Sequence, residues 1–145
     1  GPRMSGAEII EGVESFFQEC PRHDCAVYIV SHKTEYASQD RTGTSLRAAA
    51  MAWMSNHRFF QSEGFGLSSK DIFFEDTRAE KLERIKTLGC SILIDDLPEV
   101  FLEESFPTDV GKVLYDPHRV HPAIPGVRSA SSWEEIADHV FARHA

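Results

Sequence analysis

Residues 90–101 read Cys90-Ser91-Ile92-Leu93-Ile94-Asp95-Asp96-Leu97-Pro98-Glu99-Val100-Phe101. A short apolar run ends in two adjacent carboxylates, then a proline, then a second apolar segment. A brief aliphatic, β-branched run bounded by polar residues predicts a strand buried on both faces, as in a parallel sheet. The doubled charge at its end has two readings. Aspartate is a favoured helix N-cap. Paired carboxylates also suit a hard cation.

Working outward, the spacing of Ile9, Ile10, Val13, Phe16 and Phe17 predicts an amphipathic helix over residues 7–19, stopped by Pro21. Residues 25–30 (CAVYIV) predict a second buried strand, followed by Ser31-His32-Lys33-Thr34. After a polar stretch, Leu46, Ala49, Ala50, Trp53 and Met54 fall on one stripe of a helix that starts at Thr44 or Ser45 and runs out near Phe60. This stripe, with Met51, reads as core. Residues 72–75 (IFFE) predict a strand, and Thr77-Arg78-Ala79-Glu80 a capping box. The helix it opens turns Leu82, Ile85 and Leu88 inward and stops at Gly89. A short helix is expected over residues 97–104, a strand over 112–116 (KVLYD) and a Pro-rich loop over 117–130. Ser131-Ser132-Trp133-Glu134 predicts a second capping box. It opens a last helix with Trp133, Ile136, Val140 and Phe141 inward. Helices alternate with short apolar strands, which predicts an α/β, Rossmann-like, mostly parallel sheet flanked by helices.

The chain has 145 residues, enough for one substantial core, and a net charge of −8. That charge argues against a nucleic-acid surface, which needs clustered Lys and Arg. No run approaches the ~20 apolar residues of a membrane span. Cys20, Cys25 and Cys90 form no CxxC pair and read as thiols of a reducing compartment, so a cytoplasmic protein is expected. Residues 1–6, beginning Gly1-Pro2, read as a tag remnant or a junction, and residues 7–145 as a single domain without a cap.

Ligands of open α/β sheets bind beyond the carboxyl ends of the strands. Ser31 ends one apolar run, Asp95 and Asp96 end another, and Lys81 lies in the first turn of the helix leading into the second. A hydroxyl, an ammonium and two carboxylates at one sheet edge suit a phosphate and Mg²⁺. His32 and Lys33, beside Ser31, are placed either to touch a substrate or to be solvated. His118 and His121 form an H-x-x-H pair without further ligands and read as loop histidines.

This order resembles the haloacid dehalogenase superfamily of phosphohydrolases. "VYIVSHKT" is similar to its second motif, Lys81 in "RAEKLERIKTLG" to its third, and "ILIDDLPEVF" to its fourth. Lys86 is a weaker claimant to the lysine role. The resemblance spans residues 9–116. It implies Mg²⁺-dependent hydrolysis of a small-molecule phosphomonoester. Ser31, His32 and Lys81 would bind phosphate, Ser31 and Lys81 would act in catalysis, and Asp95 and Asp96 would hold the metal. The first motif is the exception. In the family it is a strand followed by Asp-x-Asp, whose first Asp is the nucleophile and whose second is the general acid/base. No Asp-x-Asp occurs anywhere in this chain. The resemblance therefore implies a core without its central first strand, inactive by itself. That core would be completed by a segment of a longer protein, by another molecule, or by closure of the sheet. Residues 1–4 (GPRM) also suit the junction after a cap segment. Two further expectations follow: a homodimer or strand-swapped assembly through that edge, or a degenerate, non-catalytic binding domain. A receiver domain of two-component signalling uses the same groups in a different chain order.

Overall fold

The structure is a computed structural model that describes residues 9–32 and 46–143. The predicted Thr44 or Ser45 helix start, Lys33 and residues 1–8 lie outside the described residues. The chain divides into two compact units, Gly1–Lys81 and Leu82–Ala145.

The first unit carries α1 (Val13–Glu19), β1 (Ile29–His32), α2 (Leu46–Asn56) and β2 (Ile72–Glu75). α1 starts at Val13 rather than running through Ile9 and Ile10. Gly12 has φ 89°, a left-handed conformation that closes the helix off. The strand expected over residues 25–30 is shifted to Ile29–His32. A 3₁₀ turn, Cys20–His23, is closed by Asp24 at φ 56° and by the Cys25 N–H to the Cys20 carbonyl at 2.9 Å. The partner segment is itself in a 3₁₀ turn, Ser69–Asp71, until Ile72. The parallel ladder therefore begins at Ile29↔Ile72 and ends at His32↔Glu75. β1 is half-buried, not buried on both faces as expected, because β2 is its sole ladder neighbour among the described residues.

Phe16, Phe17, Ala50, Met54, Phe59, Phe65 and Leu67 are buried. Phe65 stacks on Phe59 with ring centroids 4.0 Å apart and meets Phe17 edge-on at 5.0 Å. The loop carrying Phe65 folds back through Phe65 N–H to Arg58 O (3.0 Å) and Leu67 N–H to Phe59 O (2.9 Å). Gly64 makes this close approach possible: a Cβ there would sit 2.1 Å from the Arg58 carbonyl oxygen. Gly64→Ala is expected to cost about 2–3 kcal/mol, the usual scale of overpacking, in urea unfolding. An unchanged midpoint would show that the loop opens freely.

α3 (Arg78–Thr87) carries the boundary between the units. Thr77 accepts the Glu80 N–H at 3.0 Å, and its hydroxyl donates to the Glu80 carboxylate at 3.0 Å. The far end is a Schellman stop. Gly89 has φ 71°, with Gly89 N–H to Lys86 O (3.0 Å) and Cys90 N–H to Ile85 O (3.2 Å).

The second unit carries β3 (Ile92–Asp95), β4 (Gly111–Tyr115), β5 (Val127–Ala130) and α4 (Trp133–Arg143). They form a parallel sheet in the order β3-β4-β5. Leu114 of the middle strand and Ile136 of α4 are fully buried, and Val113, Val100 and Phe101 are buried as well. The expected helix over residues 97–104 is a shorter 3₁₀ segment, Pro98–Leu102. β5 falls in what the sequence marked as loop: VRSA has one β-branched residue and no apolar run, so its pairing to β4 supplies what its pattern lacks. The second capping box is one residue later than expected. Ser132 accepts the Glu135 N–H at 3.1 Å, and Glu135, not Glu134, reaches back to Ser131.

Among the described residues there are two small parallel sheets flanked by helices rather than one sheet, so the chain is mixed α/β, compatible with a Rossmann-like class. All three cysteines are thiols, and burial pushes Cys20 up to about 12, so it stays protonated at neutral pH. Among the described residues no helix is long and apolar enough to cross a membrane.

Candidate functional site

Ser31 and His32 close β1, at the carboxyl end of the β1/β2 pair. Ser31 is half-buried and His32 exposed. The His32 imidazole donates from Nε2 to the Asp76 carbonyl at 2.8 Å. Asp76 follows β2 directly, and its carboxylate accepts from the Arg47 guanidinium of α2 at 2.5 Å. One residue on, the Thr77 carbonyl accepts the Lys81 N–H at 3.0 Å. The Asp76-Thr77 turn therefore ties together His32, Arg47 and the first turn of α3. Lys81 is half-buried there, while Lys86 is exposed in the last turn of the same helix.

Sequence reasoning named Ser31, His32 and Lys81 but missed Arg47 and Asp76. They are 29 residues apart, and neither belongs to a motif. The pairing joins α2 to the turn after β2, which no local pattern marks.

Asp95 and Asp96 belong to the second unit, where Asp95 is the last residue of β3. Asp95 Oδ1 accepts the Leu97 N–H at 2.9 Å, which fixes the turn into Pro98–Leu102. Asp95 thus closes a turn ahead of the 3₁₀ segment rather than capping it, the N-cap being Leu97, while the Asp96 side chain is exposed. Among the described residues no group of three or more His, Cys, Asp or Glu side chains is arranged to hold a metal ion. Two adjacent carboxylates at a strand end are hard oxygen donors, and Mg²⁺ takes one or two carboxylates with water and phosphate oxygens.

A third carboxylate shares that sheet edge. Asp95 lies opposite Leu114 in the ladder, and Asp116 follows β4 two residues later. Asp116 is buried, 4% exposed, and accepts the N–H groups of Val120 (3.1 Å) and His121 (3.0 Å). These bonds fold residues 117–121 into a closed loop with Arg119 at φ 53°. Burial pushes the Asp116 carboxyl up. The two N–H donors outweigh it, helped by the neighbouring imidazoles of His121 and His118, and hold the group below the usual range. The sequence placed Asp116 at a strand end without marking it as a loop anchor, since its partners are backbone groups.

A lowered folded-state pKa favours the native state while the carboxylate is ionised. This contribution is complete above the ordinary value of about 4 and is lost as pH falls through the lower folded value. Asp116→Ala is expected to lower the midpoint of thermal unfolding at pH 7 by roughly 5 °C. The difference from wild type should shrink as the solution is acidified. A difference independent of pH would contradict this role for the carboxylate.

At the amino end of the β1/β2 pair a cleft of about 290 Å³ lies between the segments leading into the two strands, walled by Phe17, Pro21, Val27, Tyr28, Phe65 and Leu67. It is at the opposite end of the strands from Ser31.

Comparison with protein-family models, with curated proteins and with solved structures finds no match to this chain.

Proposed function

We propose that this chain is a haloacid-dehalogenase-like phosphohydrolase core that lacks its nucleophile strand. When complete, it hydrolyses a small-molecule phosphomonoester with Mg²⁺. One observation carries the reading. Among the described residues, Ser31 and Asp95 lie at the carboxyl ends of parallel strands that each have one ladder neighbour, β2 for one and β4 for the other. Both strands come from apolar runs, and an apolar edge strand is a hazard unless covered. The reading takes an apolar parallel strand ending in Asp-x-Asp as the partner such an edge would receive.

In this reading the first Asp of the supplied strand attacks phosphorus and the second protonates the leaving oxygen. The Ser31 hydroxyl and the Lys81 ammonium hold phosphoryl oxygens and offset their charge. Asp95 and Asp96 hold Mg²⁺, which supplies further charge neutralisation when bound.

The test is phosphate release from a panel of phosphomonoesters with Mg²⁺. It compares this chain with a chain extended at its amino end by an apolar strand carrying Asp-x-Asp. Activity of the extended chain alone is the expected result, and inactivity of both would refute the enzymatic reading.

A second reading, a non-catalytic binding domain of the same fold, draws on the absence of Asp-x-Asp from the sequence and on the engagement of Asp95 in a turn with the Leu97 N–H. It is favoured if the extended chain is inactive but the strand still binds.

A further inference from the structure

Cys20 and Cys25 take no part in the chemistry proposed above, yet they are the two ends of one backbone motif. The 3₁₀ turn Cys20–His23 stops at Asp24, whose φ of 56° is left-handed. The Asp24 N–H donates to the Pro21 carbonyl at 3.1 Å, and the Cys25 N–H to the Cys20 carbonyl at 2.9 Å. These nested bonds are the Schellman pattern, in which the side chains at the first and last positions meet. The outer bond holds the two cysteine Cα atoms within roughly 7 Å, against the ~4.4–6.8 Å span of disulfides. The nearness shows in the Cys20 thiol, which burial and then the neighbouring Cys25 and Glu19 push up to about 12. The two thiols differ in access. Cys20 is 1% exposed, whereas Cys25 is half-buried and lines the cleft at the amino end of the β1/β2 pair. The Cys25 thiol donates weakly to the His23 carbonyl at 3.5 Å, a bond readily given up. Burial disfavours both thiolates and slows their exchange, but a disulfide is neutral and tolerates the same surroundings.

We infer that Cys20 and Cys25 are a reversible oxidative modification site, joined as an internal disulfide by exchange with a small-molecule disulfide such as oxidised glutathione. The Cys25 sulfur gives up its proton and attacks one glutathione sulfur. One glutathione leaves and a mixed disulfide remains. The Cys20 sulfur, deprotonated in turn, displaces the second glutathione. Two protein thiols are oxidised, one glutathione disulfide is reduced to two thiols, and the two protons go to the departing thiolates. The new bond ties the residue after α1 to the segment entering β1. In a reducing compartment the pair rests as thiols. Nothing in this exchange depends on the phosphohydrolase reading.

The full chain is equilibrated without air in mixtures of reduced and oxidised glutathione, quenched in acid, alkylated and cut with trypsin, which cleaves after Arg22 between the two cysteines. Mass spectrometry is expected to find the fragment ending at Arg22 joined to the fragment ending at Lys33, with Cys90 alkylated. The same equilibration in concentrated urea measures the unfolded chain. At one glutathione ratio the folded chain should hold at least about tenfold more disulfide relative to dithiol, because the turn raises the effective concentration of one thiol at the other. Asp24→Val disfavours the left-handed conformation and should bring that preference down toward the urea value, while Asp24→Gly should keep it. In Cys20→Ala, Cys25 should carry glutathione as a mixed disulfide. If the folded chain forms the link no more readily than the unfolded one, the inference is overturned. It is overturned equally if both cysteines stay thiols or carry glutathione separately, if Asp24→Val keeps the full preference, or if Cys25 takes up no glutathione in Cys20→Ala.

Discussion

Leu114→Ala is expected to destabilise the protein by about 3–4 kcal/mol, read as a lower midpoint in urea unfolding with the slope unchanged. Leu114 is fully buried on β4, the strand that pairs with both β3 and β5. Removing its branched end takes away buried methyl groups and leaves a cavity at the centre of the three-stranded sheet. The neighbouring backbone is held by ladders on both sides, so the space collapses poorly. Leu102→Ala is the matched control, since Leu102 is 63% exposed and lies in the 3₁₀ segment after β3. It is expected to stay within about 0.5 kcal/mol of wild type. Equal effects at the two positions would mean that the sheet is not the centre of the second unit's core.

The largest effects concern catalysis in the chain completed by an Asp-x-Asp strand. Ser31→Ala, Lys81→Met and Asp96→Asn are each expected to lower turnover about 10²–10³-fold. Each removes a charge or donor that the proposed reading aims at the transferring phosphoryl group or its cation. The responses should differ in kind. Asp96→Asn should be partly relieved by raised Mg²⁺, because it weakens metal binding. Lys81→Met should not, because the proposed reading places its ammonium on phosphoryl oxygens and not on the metal. Asp95→Ala should also lower stability, since it removes the Oδ1 that accepts the Leu97 N–H and fixes the turn. A set of variants that all retain turnover would remove these residues from the reaction.

Much of the architecture was legible where the pattern was strong. The capping residue Thr77, the glycine stop at Gly89 and the strand over residues 72–75 are local chemistry, and the structure places them as read. Where placement depends on pairing, the sequence misled. The run over residues 25–30 is apolar throughout, but its first residues are still leaving a turn and its ladder cannot start before Ile72. β5 has no apolar pattern of its own and is a strand because β4 pairs with it. The site divides the same way. Ser31, Lys81, Asp95 and Asp96 were readable as strand-end and helix-start residues. Arg47, Asp76 and Asp116 act through partners that no motif announces: one side chain far along the chain, and backbone N–H groups.

The most direct measurement is the mass of the completed chain after brief incubation with a phosphomonoester and Mg²⁺ and quenching in acid. An increment of one phosphoryl group on the first Asp of the supplied strand, absent when that Asp is Asn and reduced in Ser31→Ala, is the expected result. An unmodified protein that nonetheless releases phosphate, or one that neither traps nor releases it, would contradict the account.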